Sequence, residues 1–313
     1  MNKTDKIYVA GHRGLVGSAI VRSLKRQGYT NIIGRTHAEL DLINQAAVRK
    51  FFEEEKPDVV VLAAAKVGGI NANQTTPAEF AYENMQIQCN VIKCCHDFHV
   101  KKLLFLGSTC IYPKMAPQPI PEDALLSGYL EETNEAYAIA KISGLLMCKY
   151  FKTEYGDDFI SCMPTNLYGP YDNYDLESSH VMPAMIRKFH DAKVQGKKTV
   201  ELWGTGAPLR EFLYSDDMAD ACVFLLENYS GVQHVNIGTG KEVTIKQLAE
   251  LVKKTVGFEG EIVWNKDMPD GTPRKLTNVD KLHSLGWTHK VELEEGVQLA
   301  YDWFREHIDN ARL

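Results

Sequence analysis

The sequence predicts an α/β fold: a doubly wound parallel sheet with a smaller C-terminal α/β lobe. Three observations predict it. Through the first half, short apolar runs alternate with longer helical patterns, which is the order of βαβ units. The 313 residues are enough for one large domain or two lobes with a sizeable core. From about Pro164 the alternation gives way to a long, polar, turn-rich stretch, and a different rhythm follows it. Right-handed crossovers between the early strands then wind the sheet on both faces.

In order, the apolar runs at 7–10, 31–33, 58–65, 102–107 and 158–163 read as strands. The helical patterns between them cover 15–27, 44–55, 77–99 and 134–155. After the loop PTNLYGPYDNYDLESSH come a helix in HVMPAMIRKFHDAKV, a strand in VELWGTG and a strand-to-helix unit in EFLYSDDMADACVFLLEN. VTIKQLAELVKKTV is amphipathic and opens on Thr244 as a cap, and a last helix runs from about 292 to 308. Residues 1–165 form the expected nucleotide-binding domain, with 212–240 returning to its sheet. Residues 166–211 and 241–313 form the expected substrate lobe.

Composition narrows the partners. Charged residues make up 24% and the formal net charge is −6, so nothing marks a nucleic-acid binder. No signal-peptide pattern precedes IYVAG, and no apolar run approaches a membrane span, so a cytoplasmic protein without a membrane partner is expected. Seven cysteines, an odd number with no C-x-x-C pair, argue for free thiols and against a zinc site.

VAGHRGLVGSAIVRSL places Gly11, Gly14 and Gly17 between a strand and a helix. The spacing is G-x-x-G-x-x-G, a variant of the dinucleotide fingerprint of a Rossmann sheet. One glycine makes the tight turn, one admits the pyrophosphate, and one lets helix pack on strand. An NAD site usually carries an acid about 20 residues on. Here the second strand leads to Arg35 and His37, with no acid before Glu39, and Arg13 lies inside the loop. Arginine suits a phosphate, so NADP is favoured over NAD.

NEAYAIAKISG carries Tyr137 and Lys141 on one helical face, and Ser108 ends the preceding strand. Together they make a carbonyl-reductase site. Tyr137 donates a proton to the developing alkoxide, Lys141 is expected to lower the tyrosine pKa, and Ser108 hydrogen-bonds the carbonyl oxygen. Each is weaker alone, since Y-x-x-x-K recurs on amphipathic helices. Cys110 stands two residues after the serine. A buried filler is the ordinary fate of a free thiol. A thiol and an imidazole can instead exchange protons near neutrality, and epimerising a carbon beside a ketone needs a base on one face and an acid on the other. His180, after the long loop, is the best partner for Cys110. Which of the two is base stays open.

The glycine loop, LAAA, GST, Y-x-x-x-K and PTNLYGP resemble the extended short-chain dehydrogenase/reductase family, whose members act on nucleotide sugars. Its 4-epimerases and 4,6-dehydratases share the triad, and a redox sensor could share the glycine loop. AGHRGLVGSAI, LAAAKVGGI, STCIYPK, YAIAKISG, PTNLYGPYDN, WGTGAPLREFLYSDDM and PDGTPRKL are similar, in order and end to end, to the family's bifunctional GDP-sugar 3,5-epimerase/4-reductases.

That resemblance implies epimerisation of GDP-4-keto-6-deoxy-D-mannose at C3 and C5, then NADPH-dependent reduction at C4 to GDP-L-fucose. It implies Ser108, Tyr137 and Lys141 for reduction, and Cys110 with His180 for epimerisation. For the cofactor it implies the loop Gly11, His12, Arg13, Gly14, Leu15, Val16 and Gly17, then Arg35, His37, Asp41 and Leu42. Ala64, Leu106, Gly107, Lys141, Pro164, Asn166, Leu167 and His180 complete that set. Asn166, Lys188, Trp203, Arg210, Asp270 and Lys275 are its implied GDP-sugar contacts. Four of these also have a plain reading, with Lys188 as helix surface, Trp203 as core, Arg210 as a rim charge and Asp270 as a turn residue. Some members carry arginine where His37 and Lys188 stand. Family dimers pair through helices equivalent to 77–99 and 134–155, so a homodimer is expected.

Overall fold

The structure is a computed structural model that describes residues 1–268 and 270–310. Pro269, which opens the PDGTPRKL stretch, and residues 311–313, at the end of the expected substrate lobe, lie outside the described residues.

The first half lays down β1 (Ile7–Ala10), α1 (Leu15–Arg26), β2 (Ile32–Ile33), α2 (Gln45–Glu55), β3 (Val59–Leu62), α3 (Ile70–Thr75), α4 (Pro77–Asp97), β4 (Lys102–Leu106), α5 (Glu135–Tyr155) and β5 (Phe159–Pro164). The second half adds β6 (Asn166–Tyr168), α6 (Val181–Val194), β7 (Thr199–Trp203), β8 (Leu209–Arg210), β9 (Phe212–Tyr214), α7 (Ser215–Asn228) and β10 (Val235–Ile237). It closes with β11 (Val243–Thr244), α8 (Ile245–Val256), β12 (Glu261–Asn265), β13 (Arg274–Lys275), α9 (Asp280–Ser284) and α10 (Leu293–Glu306). Six parallel strands form the main sheet in the order β10-β5-β4-β3-β1-β2.

Side-chain alternation explains why these strands are apolar without a break. Tyr8, Val60, Leu62, Leu103 and Phe105 point into one core with α2, α4 and α5. Ile7, Val9, Val59, Val61, Leu104 and Leu106 point into the opposite core with α1 and α7. A strand buried on both faces has no polar side, and each such side chain contributes about 1.5–3 kcal/mol. The doubly wound parallel sheet predicted from the sequence is the sheet that forms.

A third core joins α6, α8 and α10 through Phe189, Leu248, Val252, Val297 and Phe304. Thr244 caps α8 in a reciprocal box with Gln247, and Gly257 closes the helix at φ +71°. Three features differ from the sequence reading. The third strand stops at Leu62, because its ladder with β4 ends there and Ala63 and Ala64 turn to meet the glycine loop. Of 212–240, only β10 joins the main sheet, whereas β9 pairs with β6 in a ladder of its own. The segment 70–75 is helical although it is polar and shows no apolar stripe. No helix among the described residues is long and apolar enough to cross a membrane.

Candidate active site

All six strands of the main sheet are parallel, so their carboxyl ends share one edge. The strand order reverses between β1 and β3, the place where open α/β sheets bind their ligands. Gly11 takes φ +84°, and a Cβ on it would sit 2.8 Å from Ala64 N. A Cβ on Gly17 would sit 2.1 Å from Gly11 O, so helix α1 can follow this loop only with glycine there. Gly14 differs. It has φ −78°, and its nearest obstacle is Gly11 O at 3.5 Å. The fold does not need a bare backbone at Gly14; a ligand phosphate at the helix N-terminus does. Gly17→Ala is therefore expected to destabilise the protein by about 1–3 kcal/mol. Gly14→Ala should hold its melting temperature and lose about tenfold in NADPH affinity. Calorimetry and cofactor titration of the two variants separate these outcomes.

The other residues expected to meet the cofactor lie at the same edge. Leu15 and Val16 begin α1, Leu106 ends β4 and Gly107 follows it. Pro164 ends β5, while Asn166 and Leu167 begin β6. The His12 ring lies against Gly34, where a Cβ would come within 2.4 Å of His12 Cγ, and its buried Nδ1 has no partner. Burial, with Arg13 adding to it, pushes the His12 pKa down. Arg35 donates to Glu55 and to Gly34 O and lies over Phe51, so its charge is already paired. His37 is exposed, with Nδ1 3.8 Å from Asp41 Oδ1, and Leu42 is buried with its carbonyl accepting from Asn90. Arg13 is exposed and pairs with no carboxylate among the described residues. A bare glycine cradle, an unpaired arginine and an orphaned imidazole nitrogen fit a phosphorylated dinucleotide.

Ser108 follows β4 in extended backbone (φ −161°) and begins a short 3-10 turn over Thr109–Ile111. Its Oγ accepts from Cys110 N at 3.2 Å, which orients both residues towards the start of α5. Tyr137 and Lys141 lie on one face of α5. The Lys141 ammonium is buried, donates to Leu106 O at 2.9 Å and lies 5.8 Å from the Tyr137 ring centroid. Burial takes Lys141 down to about 8, with Cys162 opposing. Burial also pushes Tyr137 up, with Cys110 adding to the shift and Ser108 opposing it. The expected lowering of the phenol by Lys141 is thus not found in the free protein. A raised phenol suits a reductase, because it stays protonated and can donate to an alkoxide. Lys141 loses its charge as the pH rises through about 8. The kcat/KM for reduction should fall above that pH, and in Lys141→Arg the alkaline limb should move up. A limb unmoved in the variant would remove Lys141 as its cause.

Cys110 is half-buried, and two donors converge on its sulfur: Asn134 Nδ2 at 3.3 Å and Lys275 Nζ at 3.5 Å. His180 immediately precedes α6, where its carbonyl accepts from Ala184 N and its imidazole makes no cap. The loop before it is fixed by Asp175, whose Oδ1 accepts from Ser178 N and Oγ, and by Gly69 N donating to Ser178 O at 3.1 Å. His180 is solvent-accessible at the entry to α6, with protein packed around its imidazole. That desolvation pushes its imidazole pKa down, and the Lys275 charge adds to the effect.

The predicted sugar-nucleotide contacts gather on the lobe side. Lys188 Nζ donates to Glu201 O and lies 5.9 Å from the Trp203 ring, which is 52% exposed. Burial of Arg210 pushes its pKa down, with the Asp270 carboxylate opposing the shift. Asp270 accepts from Thr205 N and Oγ1, both at 2.7 Å, and so pins the turn after Trp203. Asn166 Nδ2 donates to Glu211 O at 2.7 Å.

Two residues escape a motif reading. Asn134 looks like an ordinary helix start until its amide is seen on Cys110. Glu211 is fully buried and accepts from Thr239 N, Gly240 N, Thr277 N and Thr277 Oγ1 at 2.6–3.0 Å. It ties β8 and β9 to β13, next to Arg210 and Lys275. A lone acid between Arg210 and the apolar run FLY was the available signal.

Residues 7–238 match the family described as the NAD dependent epimerase/dehydratase family. The chain is 62% identical to GDP-L-fucose synthase 1 of Arabidopsis thaliana, over 99% of this chain and 96% of that one. It is 50% identical to GDP-L-fucose synthase of Escherichia coli (strain K12), over 98% and 99%. The structure of an NADP-bound GDP-L-fucose synthetase from Naegleria fowleri superposes with a TM-score of 0.92 at 29% identity, over 100% of this chain and 98% of that one.

Proposed function

The chain belongs to the NAD-dependent epimerase/dehydratase family, and from that premise we propose a division of labour for its site residues. The enzyme converts GDP-4-keto-6-deoxy-D-mannose to GDP-L-fucose, by epimerisation at C3 and C5 and NADPH-dependent reduction at C4. The observation that carries the division is one strand end, where Ser108 and Cys110 face Tyr137 within a single turn of chain.

C3 and C5 both flank the C4 ketone, so one carbonyl acidifies both protons. Ser108 and Tyr137 donate to that oxygen and stabilise the enolate. Cys110 and His180 move the carbon-bound protons, one group on each face of the ring. A shift of the ring about the held oxygen brings either carbon to the same pair. NADPH, when bound, supplies the hydride for C4. Tyr137 then gives its proton to the alkoxide oxygen, and Lys141 holds its charge beside the phenol. Reduction comes last, because it removes the ketone that acidifies C3 and C5.

The loop Gly11–Gly17 holds the pyrophosphate, and Arg13 holds the 2′-phosphate. Arg210 and Lys188 offset the substrate diphosphate, and Trp203 offers a face to the base. Residues 1–165, with β10, form the cofactor domain, and 166–211 with 241–313 form the substrate lobe. The protein works in the cytoplasm as a homodimer through α4 and α5, which leave Tyr82, Ile139 and Tyr150 exposed at 61, 44 and 54%.

The test is product analysis with GDP-4-keto-6-deoxy-D-mannose. One NADPH consumed per GDP-L-fucose formed supports the proposal. Product formed without net cofactor turnover would place the chain among the 4-epimerases or dehydratases instead.

A further inference from the structure

We propose that Glu211 is a positioning residue for the GDP-sugar: its buried carboxylate fixes the strand end that aims Arg210 at the substrate diphosphate. The inference rests on the placement of Arg210 in the substrate site above and deepens it by naming what holds that guanidinium in place.

Arg210 stands on a weak scaffold. It ends β8, the middle strand of a three-stranded sheet in the order β11-β8-β13. Each of these strands is two residues long, with Val243 and Lys275 flanking Arg210, and Thr244 and Arg274 flanking Leu209. Ladders this short do not fix a register by themselves. The guanidinium donates to Leu209 O at 2.8 Å, a contact within its own strand that moves with it.

The next residue supplies the clamp. Glu211 is fully buried between β8 and β9. Its Oε1 accepts from Thr239 N at 2.6 Å and Gly240 N at 2.7 Å, with Thr239 Oγ1 farther off at 3.4 Å. Its Oε2 accepts from Thr277 N at 3.0 Å and Thr277 Oγ1 at 2.6 Å. Its carbonyl accepts from Asn166 Nδ2 at 2.7 Å. Thr239 and Gly240 lead into β11, and Thr277 follows β13, so the carboxylate holds both neighbours of β8 from one point. The fit is close. A Cβ on Gly238 would lie 2.3 Å from Glu211 Oε1 and 2.5 Å from Thr277 Oγ1, so the loop wraps the carboxylate because glycine stands there.

Every partner of the side chain is a donor: three backbone N–H groups and two hydroxyls. A carboxylate has two acceptor oxygens and suits all of them. Glutamine has one. Turned to keep Thr239 N and Gly240 N, its amide group meets Thr277, whose hydroxyl can turn to accept but whose N–H loses its partner. Glu211→Gln therefore loosens the β13 side of Arg210. No bond of this side chain reaches the glycine loop, so the cofactor site is spared. A buried acid that served stability alone would lower the active fraction and the melting temperature, and would leave KM unchanged.

The test uses the full chain, with steady-state reduction of GDP-4-keto-6-deoxy-D-mannose and direct titration of GDP as an unreactive diphosphate probe. Glu211→Gln should raise both KM and the GDP Kd about tenfold, with a smaller change in kcat and unchanged NADPH affinity. Thr277→Val removes one hydroxyl of the clamp and keeps its shape. It should raise the GDP Kd about threefold, and Thr277→Ser should restore it; this pair decides if Glu211→Gln does not fold. Because Glu211 acts through Arg210, the double variant Arg210→Met/Glu211→Gln should bind GDP no more weakly than Arg210→Met does. Unchanged GDP affinity in folded Glu211→Gln or in Thr277→Val would overturn the proposal, and so would losses that add in the double variant. Unchanged GDP affinity in Arg210→Met would overturn the placement of Arg210 itself, whatever Glu211 does.

Discussion

Tyr137→Phe slows reduction of the C4 ketone by about 10³- to 10⁴-fold and slows C3 and C5 proton exchange less, by about 10²-fold. The asymmetry follows from what the phenol does in each half. In epimerisation it is one of two donors to the enolate oxygen, with Ser108 as the other. In reduction it is also the source of the proton. Phenylalanine keeps the ring and its edge contact with Phe80, whose centroid lies 6.3 Å away at 84°, so the fold is retained. Single-turnover NADPH oxidation and exchange followed by NMR give the two rates on one preparation. Equal losses in both would mean that Tyr137 only holds the oxygen.

Cys110→Ser slows exchange by about 10³-fold or more and leaves NADPH affinity unchanged. A hydroxyl cannot ionise near neutrality, even with Lys275 and Asn134 aimed at it. The side chain is half-buried and its backbone is held by Ser108, so the shape of the site survives. The double variant Cys110→Ser/Tyr137→Phe should lose both activities, since each variant removes a different proton transfer.

The parts of the site that are close in sequence were legible from it. The glycine loop, the strand-end serine with its thiol and the Tyr137–Lys141 helix face are each one local pattern. So is the sheet, because strands buried on both faces must be apolar throughout. The rest depends on contacts between distant segments. Lys275 is 165 residues from Cys110, and β13 is two residues long, so no periodicity announces it. The pairing of Arg35 with Glu55 joins the loop after β2 to the end of α2, and it leaves Arg13 as the uncommitted charge beside the glycine loop. Burial raises the Tyr137 phenol, and the sequence shows the lysine one helical turn away but not that burial. The short ladders β6–β9 and β8–β13 were equally invisible, although they carry Asn166, Arg210 and Lys275 to the cleft.

The central claim is that one oxygen-binding site serves two reactions, with separate residues moving the protons in each. The most direct measurement is the reaction of the wild-type enzyme in deuterium oxide with GDP-4-keto-6-deoxy-D-mannose and NADPH, with the product read by NMR. The product should be GDP-L-fucose carrying deuterium at C3 and C5 and protium at C4. A product reduced at C4 with protium at C3 and C5 would contradict the claim, leaving a reductase in which Cys110 and His180 move no proton.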